Sequence, residues 1–185
     1  MKIIRVIGEN FPPEVDFHPD SALILPGRPF FVPDFGDEWK AKPYIAVKIN
    51  RLGKNIGKRF VKRYYESLSI GIHLSCDLSS RFPGLFSGLD SSIAIGSWMA
   101  IDELRGSVKL FAKSGESIQA CLEEGVEGLI SHCERAICEI SAYATLKMGD
   151  VIFIPFGTFP FIPLRKDRNL DFILNENLVY TLRIV

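Results

Sequence analysis

Apolar and polar positions alternate along many short stretches of this chain, and that spacing of two predicts strands more often than helices. Ile3, Ile4, Val6 and Ile7 make a first strand that closes at Gly8, with Asn10 and Phe11 behind it. Pro12, Pro13 and Pro19 then interrupt regular structure, and SALILPGRPFFVPDF (21–35) sets short apolar runs between a Pro-Gly turn and further prolines. YIAVKI (44–49) reads as a strand ended by the polar turn NRLGKN, in which Gly53 is the flexible position. Ile70, Ile72, Leu74 and Cys76 alternate with small or polar partners, which predicts a half-buried strand that delivers Asp77 at its end. Ser79, Ser80, Pro83, Gly84, Ser87 and Gly88 follow as a loop, and IAIGSWM (93–99) returns to strand composition. Val108 to Ala112 and the turn KSGES suggest a hairpin, and VIFIPFGTFPFIPL, NLDFIL and LVYTLRIV supply the closing strands.

Two stretches carry the helical period instead. Ile56, Phe60, Val61, Tyr64 and Leu68 recur at three and four, with Asn55 as the cap and Lys58, Arg59, Lys62 and Arg63 outward, which predicts a helix over 56–68. Val126, Leu129, Ile130, Cys133, Ile137 and Ile140 predict a second over 126–143, with His132 on its polar side. The expectation is a mainly β, α+β fold with two principal helices, in one domain over 1–185.

Composition narrows the chemistry. The 185 residues are 47% hydrophobic, enough for one sizeable core. Twenty-two basic and 22 acidic residues cancel, so no overall field draws the chain to nucleic acid or an anionic membrane. The basic cluster KRFVKR, with its interleaved aromatic, fits a nucleic-acid surface, but a solvated helix face is the preferred reading on a neutral chain. Cys76, Cys121, Cys133 and Cys138 form no CxxC pair, which fits free thiols in a reducing cytosol. MKIIRVIGENF has no small-residue cleavage site and no run approaches bilayer length, so the expectation is a soluble cytoplasmic protein with no membrane or nucleic-acid partner. Cys76 lacks a base, with His73 on the opposite side of the strand, and no phosphate-binding loop, zinc spacing or nucleotide fingerprint occurs. Asp77 alone is either an acid in a turn between strands or part of a site.

The order of these pieces resembles the fumarylacetoacetate hydrolase family over nearly the whole chain. VIGENF is similar to its Val-Gly-Arg-Asn-Tyr opening, SALILPG to its Ser-Ala-Leu-Ile segment before a Pro-Gly turn, and IAVKINRLGKNI to its Ala-Val-Val-Ile-Gly-Lys-x-Gly-Lys-Asn-Ile. GIHLSCDLSSR resembles its Gly-Tyr-Thr-Val-Gly-Asn-Asp-Val-Thr-Ala-Arg, AIGSW its Pro-Ile-Gly-Pro-Trp, SGES its Asn-Gly-Glu turn, and TLKMGDVIF its Leu-x-Pro-Gly-Asp-Val-Ile. The resemblance implies the family's mixed β-sheet roll around a central cavity and a homodimer. It also implies a divalent metal, magnesium or manganese, on a Glu-x-Glu pair and one Asp, which stabilises an enolate when a 2-oxo acid or dienoate is hydrolysed or isomerised.

Carried over by residue, the Asp is Asp77, and the two Glu positions hold Lys42 and Tyr44. The replacement changes the local charge by about three units with Lys42 protonated. The family's active-site Lys falls on Ser87, although Asp90 persists, and its Thr-Gly-Thr-Pro segment is replaced by IPFG at 154–157. Arg81 matches the family's Arg and suits either bidentate binding of an anionic ligand or an ion pair with Asp77 or Asp90. The substrate-binding candidates are therefore Arg81, Ser87 and Asp90, and no catalytic residue is named. Three readings remain, in order of preference: a catalytically degraded relative that binds a small anionic or oxo-acid ligand, or serves as a subunit, without a cofactor; a working hydrolase or isomerase with a rebuilt site; and an interaction protein unrelated to metabolites.

Overall fold

Alternating stretches become strands here because each can bury one face against a neighbour. The computed structural model describes residues 1–8 and 12–185. Residues 9–11, and with them the end of the VIGENF match, lie outside the described residues. The strands are β1 (Lys2–Ile7), β2 (Glu14–Pro19), β3 (Lys40–Ile49), β4 (Tyr65–Ser75), β5 (Ile93–Ile95), β6 (Met99–Ala100), β7 (Ser107–Ser114), β8 (Ser117–Gly125), β9 (Val151–Pro155), β10 (Ile162–Pro163), β11 (Asn169–Leu174) and β12 (Asn177–Arg183). The α-helices among the described residues are α1 (Pro83–Ser87) and α2 (Val126–Tyr143).

One mixed sheet runs β2-β1-β9-β3-β4-β5, with β10 on β3 and β6 on β4; β1 and β9 are parallel and the other pairs antiparallel. A second, antiparallel sheet runs β12-β11-β7-β8. Period-two geometry divides the first sheet's side chains between two faces. One face supplies Ile4, Val6, Ile45, Val47, Ile70, Ile72, Leu74, Ile152 and Ile154 to an apolar cluster completed by Leu110, Phe172 and Leu182 of the second sheet and Leu129, Cys133, Ala136 and Ile137 of α2. The other face carries a smaller cluster of Ile3, Tyr44, Ala46, Ile93, Val151 and Phe153. Arg5, Asp16, His18, Lys42 and His73 share that second face.

The helix expected over 56–68 is absent. Only a single 3₁₀ turn, Val61–Arg63, forms there, and Tyr65 and Leu68 belong to β4. Tertiary hydrogen bonds explain the loss. Ile56 N–H donates to Ser141 Oγ at 2.9 Å and Asn55 N–H to the Ser141 carbonyl at 2.9 Å, while Gly53 and Leu146 exchange both backbone bonds at 2.9 and 2.8 Å. The loop's backbone groups are thereby paired to the C-terminal end of α2 and the segment just beyond it, and Asn55 sits at φ 52°, outside any N-cap geometry. The first α-helix among the described residues is instead the short α1, within the stretch expected to be a loop. The second expected helix matches α2 at both ends, with His132 exposed and facing Glu124 at 3.6 Å. The strand expected over 93–99 is split into β5 and β6.

Candidate functional site

The register of β3 on β4 puts Lys42 opposite His73 and Tyr44 opposite Gly71, and that of β1 on β2 puts Arg5 opposite Asp16 and Ile3 opposite His18. These strands gather Arg5, Asp16, His18, Tyr44 and His73 on the second face of the sheet, with Lys42 beside them. The Arg5 guanidinium pairs with Asp16 through both oxygens, Nε lying 3.1 Å from Oδ1 and Nη2 reaching Oδ2. Its Nη1 lies 3.3 Å from the Tyr44 hydroxyl and 3.2 Å from His73 Nδ1. Because a guanidinium only donates, His73 Nδ1 accepts, and a neutral His73 carries its proton on Nε2. Asp16 Oδ1 also meets His18 Nε2 at 3.0 Å, and the two imidazole rings stand edge to face at 5.3 Å.

Burial sets the protonation states. Tyr44, His18 and His73 are all buried. Desolvation, reinforced by the Arg5 charge, pushes His73 well below its usual 6.5, so it is neutral. Desolvation raises the Tyr44 phenol, against the pull of Arg5, so the hydroxyl keeps its proton. At Asp16 burial works upward, but the hydrogen bonds from His18 and Arg5 and the Arg5 charge prevail and hold the carboxyl well below the usual carboxylate range. Arg5 and Asp16 neutralise each other.

Lys42 Nζ lies 5.7 Å from the Tyr44 ring centroid and 5.1 Å from that of Phe161, and Lys40 Nζ lies 4.7 Å from the Phe161 ring. Two ammoniums from one side of β3 therefore flank a half-exposed phenyl ring. Phe161 and Lys40 line a cavity of about 690 Å³ whose opposite wall is the loop around Asp34, Gly36, Asp37 and Glu38.

Asp77 holds that loop. Its Oδ1 accepts the Asp37 N–H at 2.6 Å, and its own N–H donates to the Asp37 carbonyl at 3.1 Å. Gly36, at φ +74°, lies so close to the strand end that a Cβ there would come within 2.5 Å of Cys76 Sγ. The strand delivers Asp77 as the alternation predicts, and the carboxylate serves as a clamp between two loops. Arg81 is exposed, and among the described residues its guanidinium has no hydrogen-bond or ion-pair partner, so the ion pair with Asp77 or Asp90 does not form. Ser87 Oγ donates to the Gly84 carbonyl at 2.9 Å within α1, and Asp90 is exposed. The structure thus gathers Lys42 and Tyr44 and leaves Arg81, Ser87 and Asp90 in or just beside the α1 loop.

Sequence reasoning missed Arg5, Asp16 and His18, and set His73 aside. A signal was present. A lone Arg within the apolar run IIRVI must face either water or a buried acid, and β2 supplies Asp16 directly opposite.

These residues do not fit a divalent cation. An ammonium and a phenol occupy the two positions matched to the Glu pair, a guanidinium contacts the phenol, and Asp16, the nearby carboxylate, is held by Arg5 and His18. Among the described residues no group of three or more His, Cys, Asp or Glu side chains is arranged to hold a metal. Beside this cluster, Lys40 and Phe161 share their cavity with Asp34, Asp37 and Glu38.

No protein-family model and no curated protein matches this sequence. Solved structures do match, over 100% of this chain. They include 2-hydroxyhepta-2,4-diene-1,7-dioate isomerase from Mycobacterium marinum (TM-score 0.84, 19% identity, 74% of that chain covered). A Yersinia pestis CO92 protein assigned to the fumarylacetoacetate hydrolase family matches at TM-score 0.80 and 22% identity over 92% of its length. Fumarylpyruvate hydrolase from Pseudomonas aeruginosa, in complex with Mn2+ and pyruvate, matches at TM-score 0.80 and 14% identity over 89% of its length. Likeness at these identities establishes the fold, and the fold is that of fumarylacetoacetate hydrolase family proteins.

Proposed function

We propose that this chain is a fumarylacetoacetate hydrolase family protein that has replaced its metal site with an internally paired cationic cluster and binds a small anionic oxo acid without a metal. The observation that carries this reading is the Arg5 guanidinium on the Tyr44 hydroxyl, beside Lys42, where the resemblance requires two carboxylates. A divalent ion brought there meets positive charge on two sides, whereas a carboxylate meets Lys40 and Lys42 across the Phe161 ring. The Glu pair and the active-site Lys that the family resemblance implies for turnover fall on Lys42, Tyr44 and Ser87, so binding rather than turnover is the expected activity.

Calorimetric titration tests the reading. The unmodified protein is expected to bind pyruvate or oxaloacetate saturably and to show no saturable binding of magnesium or manganese at millimolar concentration. Lys42→Glu with Tyr44→Glu is expected to abolish the anion binding. It restores metal affinity only when Arg5→Met is added, because Arg5 otherwise pairs with the new carboxylate. Tight metal binding by the unmodified chain, together with turnover of an acylpyruvate, establishes instead a working hydrolase or isomerase with a rebuilt site.

A further inference from the structure

A second cavity, of about 500 Å³, lies away from this site, where the turn at 24–28, the segment 95–97 and β12 meet. Its walls are fixed by backbone bonds to both sheets. Ile24 N–H donates to the Ile93 carbonyl at 2.7 Å, Gly96 N–H to Ile70 at 2.8 Å, Ser97 N–H to Val179 at 3.0 Å and Phe30 N–H to Arg183 at 2.8 Å. The register between β11 and β12 slips after Phe172↔Tyr180, leaving Val179 as a bulge. A bulged residue leaves the ladder, which is why the Val179 carbonyl can accept from Ser97. Gly96 makes this approach feasible, since a Cβ there would stand 2.9 Å from the Val179 oxygen.

The lining is chemically one-sided. Its lining residues are Arg28 and Arg183, the hydroxyl-bearing Ser97, Tyr180 and Thr181, and apolar residues including Ile24, Ile95 and Leu178, with no Asp or Glu among them. The adjacent Asp171 is engaged by Thr181 Oγ1 at 2.6 Å. Among the described residues neither Arg28 nor Arg183 has a side-chain hydrogen-bond or ion-pair partner. Two unpaired guanidiniums over a rigid, partly apolar hollow match an oxyanion, because the planar fork binds carboxylate or phosphate through paired hydrogen bonds.

We propose that this cavity is a second ligand site, for a small organic oxyanion, a carboxylate or phosphate monoester on a compact apolar body. Arg28 and Arg183 hold the anionic group, Ser97 and Tyr180 donate to it, and Ile24, Ile95 and Leu178 receive the body. The site is separate from the Lys42 and Tyr44 cluster. Along the row Tyr44↔Gly71↔Ile95, Ile95 is two strands from Tyr44, roughly 10 Å across the sheet.

Calorimetry with phenyl phosphate, benzoate and benzyl alcohol tests it on the full chain. One or both anions are expected to bind and the neutral alcohol not to, and the tighter anion identifies the class as phosphate or carboxylate. Arg28→Gln and Arg183→Gln are each expected to weaken binding by about tenfold or more, while the surface control Arg51→Gln leaves it unchanged. Independently of any substitution, the bound anion is expected to protect Arg28 and Arg183 from phenylglyoxal, read by mass spectrometry. Absence of saturable binding, equal loss in Arg51→Gln, or no protection of either arginine overturns the proposal.

Discussion

Arg5 ties β2, β3 and β4 to its own strand through one side chain. It sits in a strand whose neighbours Ile4 and Val6 are buried, and its own direction faces Asp16, Tyr44 and His73. The pairing makes the cluster dependent on pH. His73 is held neutral in the folded chain because its pKa lies well below 6.5, whereas the unfolded chain binds a proton near that value. Between the two values the unfolded state binds more protons, so the His73 contribution is fully present above 6.5 and is lost as pH falls below it. Asp16, also depressed, adds a second loss below its usual 3.8. Urea unfolding between pH 7.5 and 5 is expected to lose up to about 1.4 kcal/mol per pH unit below 6.5. His73→Gln keeps an acceptor for Arg5 and removes the titration, so it is expected to flatten that slope. An unchanged slope in this variant assigns the loss to another group.

At the scale of elements, β4 depends on a missing side chain. Gly71 stands opposite Tyr44 on one side and Ile95 on the other, and a Cβ there would be 2.3 Å from Phe153 Cζ. The phenyl ring fills that space and stacks on Tyr44 at 5.9 Å with 25° between the planes. Being fully buried, it has little room to turn aside. Gly71→Ala is expected to destabilise the chain by about 1–3 kcal/mol in urea denaturation and to disturb the Tyr44 position with it. A neutral effect requires that Phe153 can repack. The α2 stripe and most strands were legible because their periods survive folding. Residues 56–64 misled because Phe60, counted on the buried face, is about half exposed, with Arg59 and Arg63 at 6.0 and 5.2 Å from its ring, while the backbone bonds to Ser141 and Leu146 replaced helical ones.

Across the whole molecule, a single apolar cluster draws residues from both sheets and α2. The sheets cannot separate without exposing it, so unfolding is expected to be one cooperative transition, with far- and near-ultraviolet circular dichroism tracing the same denaturant curve. Two resolved transitions would show that the sheets have separable cores. The sequence by itself determined the alternating strands, the α2 stripe and the collinear order of motifs that resembles this fold's proteins. Each of these is local, carried by residue type and spacing along the chain. Only the tertiary structure decided that Arg5 and Asp16 neutralise each other next to Tyr44, that Asp77 clamps the Asp37 loop, and that Arg28 and Arg183 line one hollow. Those relations join residues up to 155 positions apart (183 − 28) through strand pairing, and a spacing rule that looks a few residues ahead contains no term for them.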